Sequence, residues 1–132
     1  MNMRFYCVYV KTRKKVDKYL KINKIRNKYI IDIRKIMEEE EVNYDVEKTY
    51  LKILIFNKIQ QAVEKKKDIY YIPDFESEFS IEKLLNIKKI LGKDNEFAVL
   101  IFYNEFRKEQ EILEDVMSNL SKFDSSQIIR DY

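Results

Sequence analysis

Residues 97–103, Phe-Ala-Val-Leu-Ile-Phe-Tyr, run without a single charge. The run is far short of the roughly 18 apolar residues a membrane span needs. It is also too continuous for a strand with one wet face, so it reads as a strand covered on both faces, the habit of parallel sheets flanked by helices. Residues 4–10, Arg-Phe-Tyr-Cys-Val-Tyr-Val, alternate little and are rich in aromatic and β-branched types, so they predict a second buried strand.

Between and after these runs, helical and extended patterns alternate. Residues 12–22 predict a helix with Val16, Tyr19 and Leu20 on one face, and residues 28–32 a short strand. A short helix starts near Ile33 and ends in Glu38-Glu39-Glu40-Glu41, a solvated helix end or loop. Residues 44–67 predict a long helix, with Leu51, Leu54, Ile55, Ile59, Ala62 and Val63 at steps of three and four. Ile53 and Phe56 add a second apolar side, which predicts cover on more than one face. Residues 68–73 predict a strand ended by Pro73. Ser80 and Gly92 suit the two ends of a helix from Ile81 to Leu91. After residues 97–103, Asn104 suits the N-cap of a helix lined by Ile112, Leu113, Val116, Met117 and Leu120, and residues 127–130 suit a last short strand. The expected fold is one α/β domain over residues 1–132, a mainly parallel sheet of four to five strands with helices on both faces.

Composition closes several routes. A chain of 132 residues is long enough to bury a real core. One Gly and one Pro exclude collagen-like and turn-dense all-β architectures. The absence of His excludes Ser-His-Asp and Cys-His catalysis and His-ligated zinc. One Cys excludes an internal disulfide, and Cys7 sits in an apolar run with no activating partner, so it reads as a buried structural thiol. No cofactor, metal or membrane contact is expected, and a cytoplasmic location follows from the missing signal segment.

The net charge of +3 hides a division. Residues 1–36 carry twelve Lys and Arg against Asp17 and Asp32, a net of +10, and residues 37–132 carry a net of −7. A basic block of this kind attracts phosphates or an acidic partner surface. Tyr9, Tyr19 and Tyr29 are interleaved with it, either to stack on bases or to fill the core.

Right-handed crossovers place all strand C-terminal ends along one sheet edge, where ligands of such sheets bind. The sequence delivers Lys11, Arg13, Lys14, Lys15 and Lys18 after the first strand, then Asp32 and Arg34 after the second. Asp74 follows the third, and Asn104 and Glu105 the fourth. The binding candidates are therefore Lys11, Arg13, Lys14, Lys15, Lys18 and Arg34, for phosphate, nucleic acid or an acidic partner. Asp32, Asp74 and Asn104 form a candidate polar site at the strand ends, and no catalytic residue is assigned.

The order of elements resembles the P-loop kinase fold, in its nucleotide and polynucleotide kinase branch. The likeness lies in the hydrophobic first strand, the basic first helix, and a second strand running into Asp32-Ile33-Arg34. That triplet is similar to the Asp-x-x-Arg or Asp-x-Arg neighbourhood that binds substrate in those kinases. Lys65-Lys66-Lys67-Asp68 then leads into Ile69-Tyr70-Tyr71-Ile72, with Asp74 near the place of a second carboxylate. The phosphate-cradling G-x-x-x-x-G-K-[ST] loop is missing, since Val10-Lys11-Thr12-Arg13-Lys14-Lys15-Val16 holds no Gly. An Arg-rich lid is also missing, with Arg107 and Arg130 isolated. The resemblance therefore implies a degenerate relative that has lost ATP chemistry, of a kind that suits a phage or mobile-element accessory factor.

Three functions follow, in order of expectation. The first is a non-enzymatic binding protein acting through a protein partner. The second is nucleic-acid binding by the basic N-terminal third. The third is a divergent nucleotide or polynucleotide phosphoryl transferase using Asp32 or Asp74. The apolar helix at 44–67 further suggests a homodimer.

Overall fold

The computed structural model describes residues 3–41, 48–73, 88–89 and 95–130. Five strands form one all-parallel sheet: β1 (Arg4–Tyr9), β2 (Lys28–Asp32), β3 (Asp68–Ile72), β4 (Glu96–Phe102) and β5 (Ser125–Ile129). Their order across the sheet is β2-β3-β1-β4-β5. The helices are α1 (Arg13–Ile22), α2 (Ile33–Glu39), α3 (Lys48–Glu64) and α4 (Gln110–Ser118), with 3-10 turns at Tyr103–Phe106 and Leu120–Lys122. The helix expected from Ile81 to Leu91 lies outside the described residues, apart from 88–89.

Strand order dictates which face each helix covers. The chain leaves β1 in one direction, passing β3 to reach β2, and every later step runs the opposite way. With right-handed crossovers, opposite moves put their helices on opposite faces. Accordingly α1 packs Val16 and Leu20 on one face, against Val8, Val10, Tyr70, Ile72, Leu100 and Phe102. On the other face α2, α3 and α4 pack against Phe5, Cys7, Tyr9, Ile31, Ile69, Tyr71, Phe97, Val99 and Ile101.

The apolar runs end up where their continuity demands. β1 is central, pairing β3 on one side and β4 on the other. Alternate side chains of β1 and β4 enter the two cores, and apart from Arg4, Tyr6 and Glu96 near the strand starts they are buried. Each such side chain contributes about 1.5–3 kcal/mol on burial. Aromatic pairs line up across strands, with ring centroids of Phe5 and Phe97 5.1 Å apart and of Tyr6 and Tyr70 4.6 Å apart. Pro73 follows the last residue of β3, as the missing N–H requires.

Two expectations need correction. Asn104 does not cap a helix: it lies in the 3-10 turn and its amide donates to the Arg130 carbonyl, while α4 starts at Gln110 behind Glu109. Nor do the described residues of the chain cover α3 on more than one face. Leu51, Ile55, Ile59 and Ala62 are buried, but Ile53 is 54% exposed and Phe56 37%. Those four buried side chains, with the partly buried Leu54 beside them, face the sheet.

Candidate functional site

The C-terminal ends of β1, β2 and β4 meet at one edge. β1 is the strand whose crossover helix lies on the opposite face from all the others described, so the switch in strand order falls there. The corner between β1 and α1 is therefore the place a ligand of this fold would occupy.

That corner holds a carboxylate of the chain itself. The Lys11 backbone N–H donates to Glu105 Oε2 at 3.0 Å. The Thr12 backbone N–H donates to Oε2 at 3.0 Å and to Oε1 at 3.3 Å. The Thr12 hydroxyl donates to Oε2 at 3.2 Å. Lys15 Nζ stands 4.0 Å from Oε1, and the Glu105 side chain is only 5% exposed. Thr12, at the N-cap of α1, makes no side-chain bond to its own helix. Glu105 instead supplies the negative charge that a helix start favours. The 3-10 turn directly after β4 is what delivers it across.

A second knot joins β2 to α1. Asp32 is the one charged residue among those described that is buried as a whole, backbone included. Its Oδ1 accepts from the Lys35 N–H at 3.4 Å, capping α2. Its Oδ2 takes Arg13 Nη1 at 2.8 Å, while Arg13 Nε reaches Asp17 at 3.0 Å. Burial pulls the Arg13 pKa down, and the bonds to Asp32 and Asp17 outweigh it, so the guanidinium is held above its ordinary value. Arg34 Nη2 donates to the Lys11 carbonyl at 2.7 Å, and Lys11 Nζ pairs with Glu109 over the Phe106 ring.

The candidate residues thus divide. Lys11, Arg13, Lys15, Arg34 and Asp32 come together at the edge, each held by a partner within the chain. Lys14 and Lys18 point away from it and lie exposed on the outer side of α1. Asn104 sits at the edge but is turned to Arg130, which itself lies over the Tyr103 ring at 4.3 Å. Asp74 lies outside the described residues, as do the neighbouring Glu76 and Glu78. The sequence marks neither Glu109 nor Asp17 as a partner and gives Glu105 no role beyond following the fourth strand. Its hint was position alone, an acid just past a buried strand.

Beneath the edge, Cys7 is fully buried and burial pushes its thiol pKa up, which leaves it unreactive at neutral pH. Tyr9 is 1% exposed and Tyr29 packs against the core, so neither offers a face to a base. No His, Cys, Asp or Glu group among the described residues could hold a metal. No helix of the described residues is long and apolar enough to cross a membrane. The arrangement therefore ties three strand-end loops together by internal ion pairs. A phosphate entering the β1–α1 corner would have to compete with Glu105 for the same N–H groups. Comparison with family models, curated proteins and solved structures finds no match for the chain.

Proposed function

We propose that this chain is a non-enzymatic binding protein on a degenerate kinase-like α/β scaffold, acting through a protein partner. The observation that carries this reading is the Glu105 carboxylate lodged on the Lys11 and Thr12 N–H groups. In a phosphoryl-transfer site those donors face the nucleotide phosphates and stabilise the charge that develops there. Here an internal anion takes them, and the Arg13 and Asp32 charges neutralise each other. A protein contact is supported by α3, whose solvent side presents Tyr50, Ile53, Phe56 and Val63, each at least 36% exposed. Apolar side chains grouped at helical spacing mark an interaction face more often than singly scattered ones do.

Two measurements test it. Mg-ATP should show no saturable binding to the purified protein at millimolar concentration; phosphoryl transfer to a nucleoside or polynucleotide, abolished by Asp32→Asn, would overturn the reading. A protein retained by the wild type and lost from the Ile53→Asp, Val63→Asp double variant should then be purified and titrated directly. Equal affinity of that purified protein for the wild type and the double variant would remove α3 as the contact.

A further inference from the structure

We propose that the outer side of α1, with the turn after it, binds the phosphate backbone of nucleic acid without reading its sequence. This surface is separate from the α3 contact and does not depend on it. Burial of Val16 and Leu20 turns the opposite side of α1 to solvent, and Lys14, Lys18 and Lys21 share that side at spacings of four and three. All three are exposed. Lys14 and Lys21 stand about 10 Å apart along the axis. Lys24, with φ of 54°, and Arg26 carry the exposed positive charge on past the helix end. Lys14, Lys21, Lys24 and Arg26 take part in none of the ion pairs among the described residues. Asp17 and Asp32, the two carboxylates of residues 1–36, are both engaged by Arg13.

The chemistry of the face selects its occupant. Protein interfaces are built around a desolvated core rich in aromatic and apolar side chains and poor in charge. This face has no aromatic residue, because Tyr19 turns inward to meet Phe102 at 5.9 Å, and its one exposed apolar residue is Ile22. What remains is, apart from the Arg26 guanidinium past the helix end, flexible, strongly hydrated ammonium groups, which serve phosphates as point charges. No stacking platform and no planar fork is directed outward by α1, so base readout is not expected. Four or five cations engaging a duplex would give log K against log salt a slope of roughly −4.

The experiment is an anisotropy titration of the whole chain with a labelled duplex DNA, from about 50 to 200 mM salt. Affinity should fall along a line of that slope. Lys24→Gly should make it shallower by about 0.9, and Lys14→Gln with Lys21→Gln by about 1.8. Lys24→Gly also relieves a left-handed backbone residue, so its melting temperature should hold or rise while binding weakens. A loss of binding in that variant is therefore not a loss of fold. The Ile53→Asp variant should keep duplex binding, which separates this surface from the α3 contact. No binding at the lowest salt, or an unchanged slope in the lysine variants, would overturn the proposal. So would polyglutamate binding as tightly as the duplex through the same lysines, which would assign the face to an acidic protein.

Discussion

Three helices end on residues that the usual rule reserves for glycine. Lys24, Glu41 and Lys66 have φ of 54°, 54° and 55°. The first and last close full Schellman bonds, Ile25 N–H to Leu20 and Lys24 N–H to Lys21, then Lys67 N–H to Ala62 and Lys66 N–H to Val63. A chain with a single Gly must build these turns from residues that carry a Cβ, at about 1–2 kcal/mol each. Lys66→Gly should therefore raise stability by about 1 kcal/mol, read as a higher urea midpoint with an unchanged m-value. Glu41→Gly should gain more, because a carboxylate beside a helix C-terminus opposes the dipole whereas an ammonium group suits it. A smaller gain than in Lys66→Gly would show that the dipole effect is negligible there. Glu105→Gln should cost about 1–3 kcal/mol by weakening bonds to two backbone donors. Glu109→Gln, in a half-exposed pair with Lys11, should cost less than about 1 kcal/mol.

At the scale of elements, α3 shows why periodicity names a helix before it names the helix's inner side. Apolar residues stand on every side of α3, so the pattern has no single stripe. The sheet chose Leu51, Ile55, Ile59 and Ala62, and left Tyr50, Ile53 and Phe56 in solvent. Leu51→Ala should destabilise by about 2–5 kcal/mol, whereas Ile53→Ala should stay within about 0.5 kcal/mol. Comparable losses at both positions would mean that Ile53 is covered in solution. In α1 the opposite holds. Its lone apolar stripe made the inner side legible from the spacing of Val16, Tyr19 and Leu20, and hence the outer lysines as well.

At the scale of the molecule, both cores hold groups that ionise only outside the fold. Burial pushes Cys7 up from 9.0 and Tyr70 up from 10.0, and Tyr9 is raised by the same cause. Below pH 9 both folded and unfolded forms keep these protons, so the groups contribute no pH dependence. Above it the unfolded chain releases protons that the native state retains, so stability falls as pH rises. Each group in its window contributes a slope of about 1.4 kcal/mol per pH unit. Urea unfolding between pH 8 and about 10.5 should show this fall, starting near the 9.0 of the free thiol. Cys7→Ala should postpone the onset toward the tyrosine range, and an onset unmoved by that substitution would remove Cys7 as its source.

The chain alone dictates the class of fold. Uncharged runs such as 97–103 can be satisfied only when covered on both sides, and their alternation with helical patterns requires crossovers between parallel strands. Helix and strand identities, the buried thiol and the basic outer side of α1 follow from that local chemistry. The pairing of distant loops does not. Glu105 reaches Thr12 across 93 positions of sequence, and Arg13 reaches Asp32 across 19. Any acid past any strand could have filled the β1–α1 corner as far as composition goes. Only the order β2-β3-β1-β4-β5, which seats β4 beside β1, decides that this acid does. A side chain's local pattern records which way it faces, but the charge it meets there is set by strands brought together only in the folded sheet.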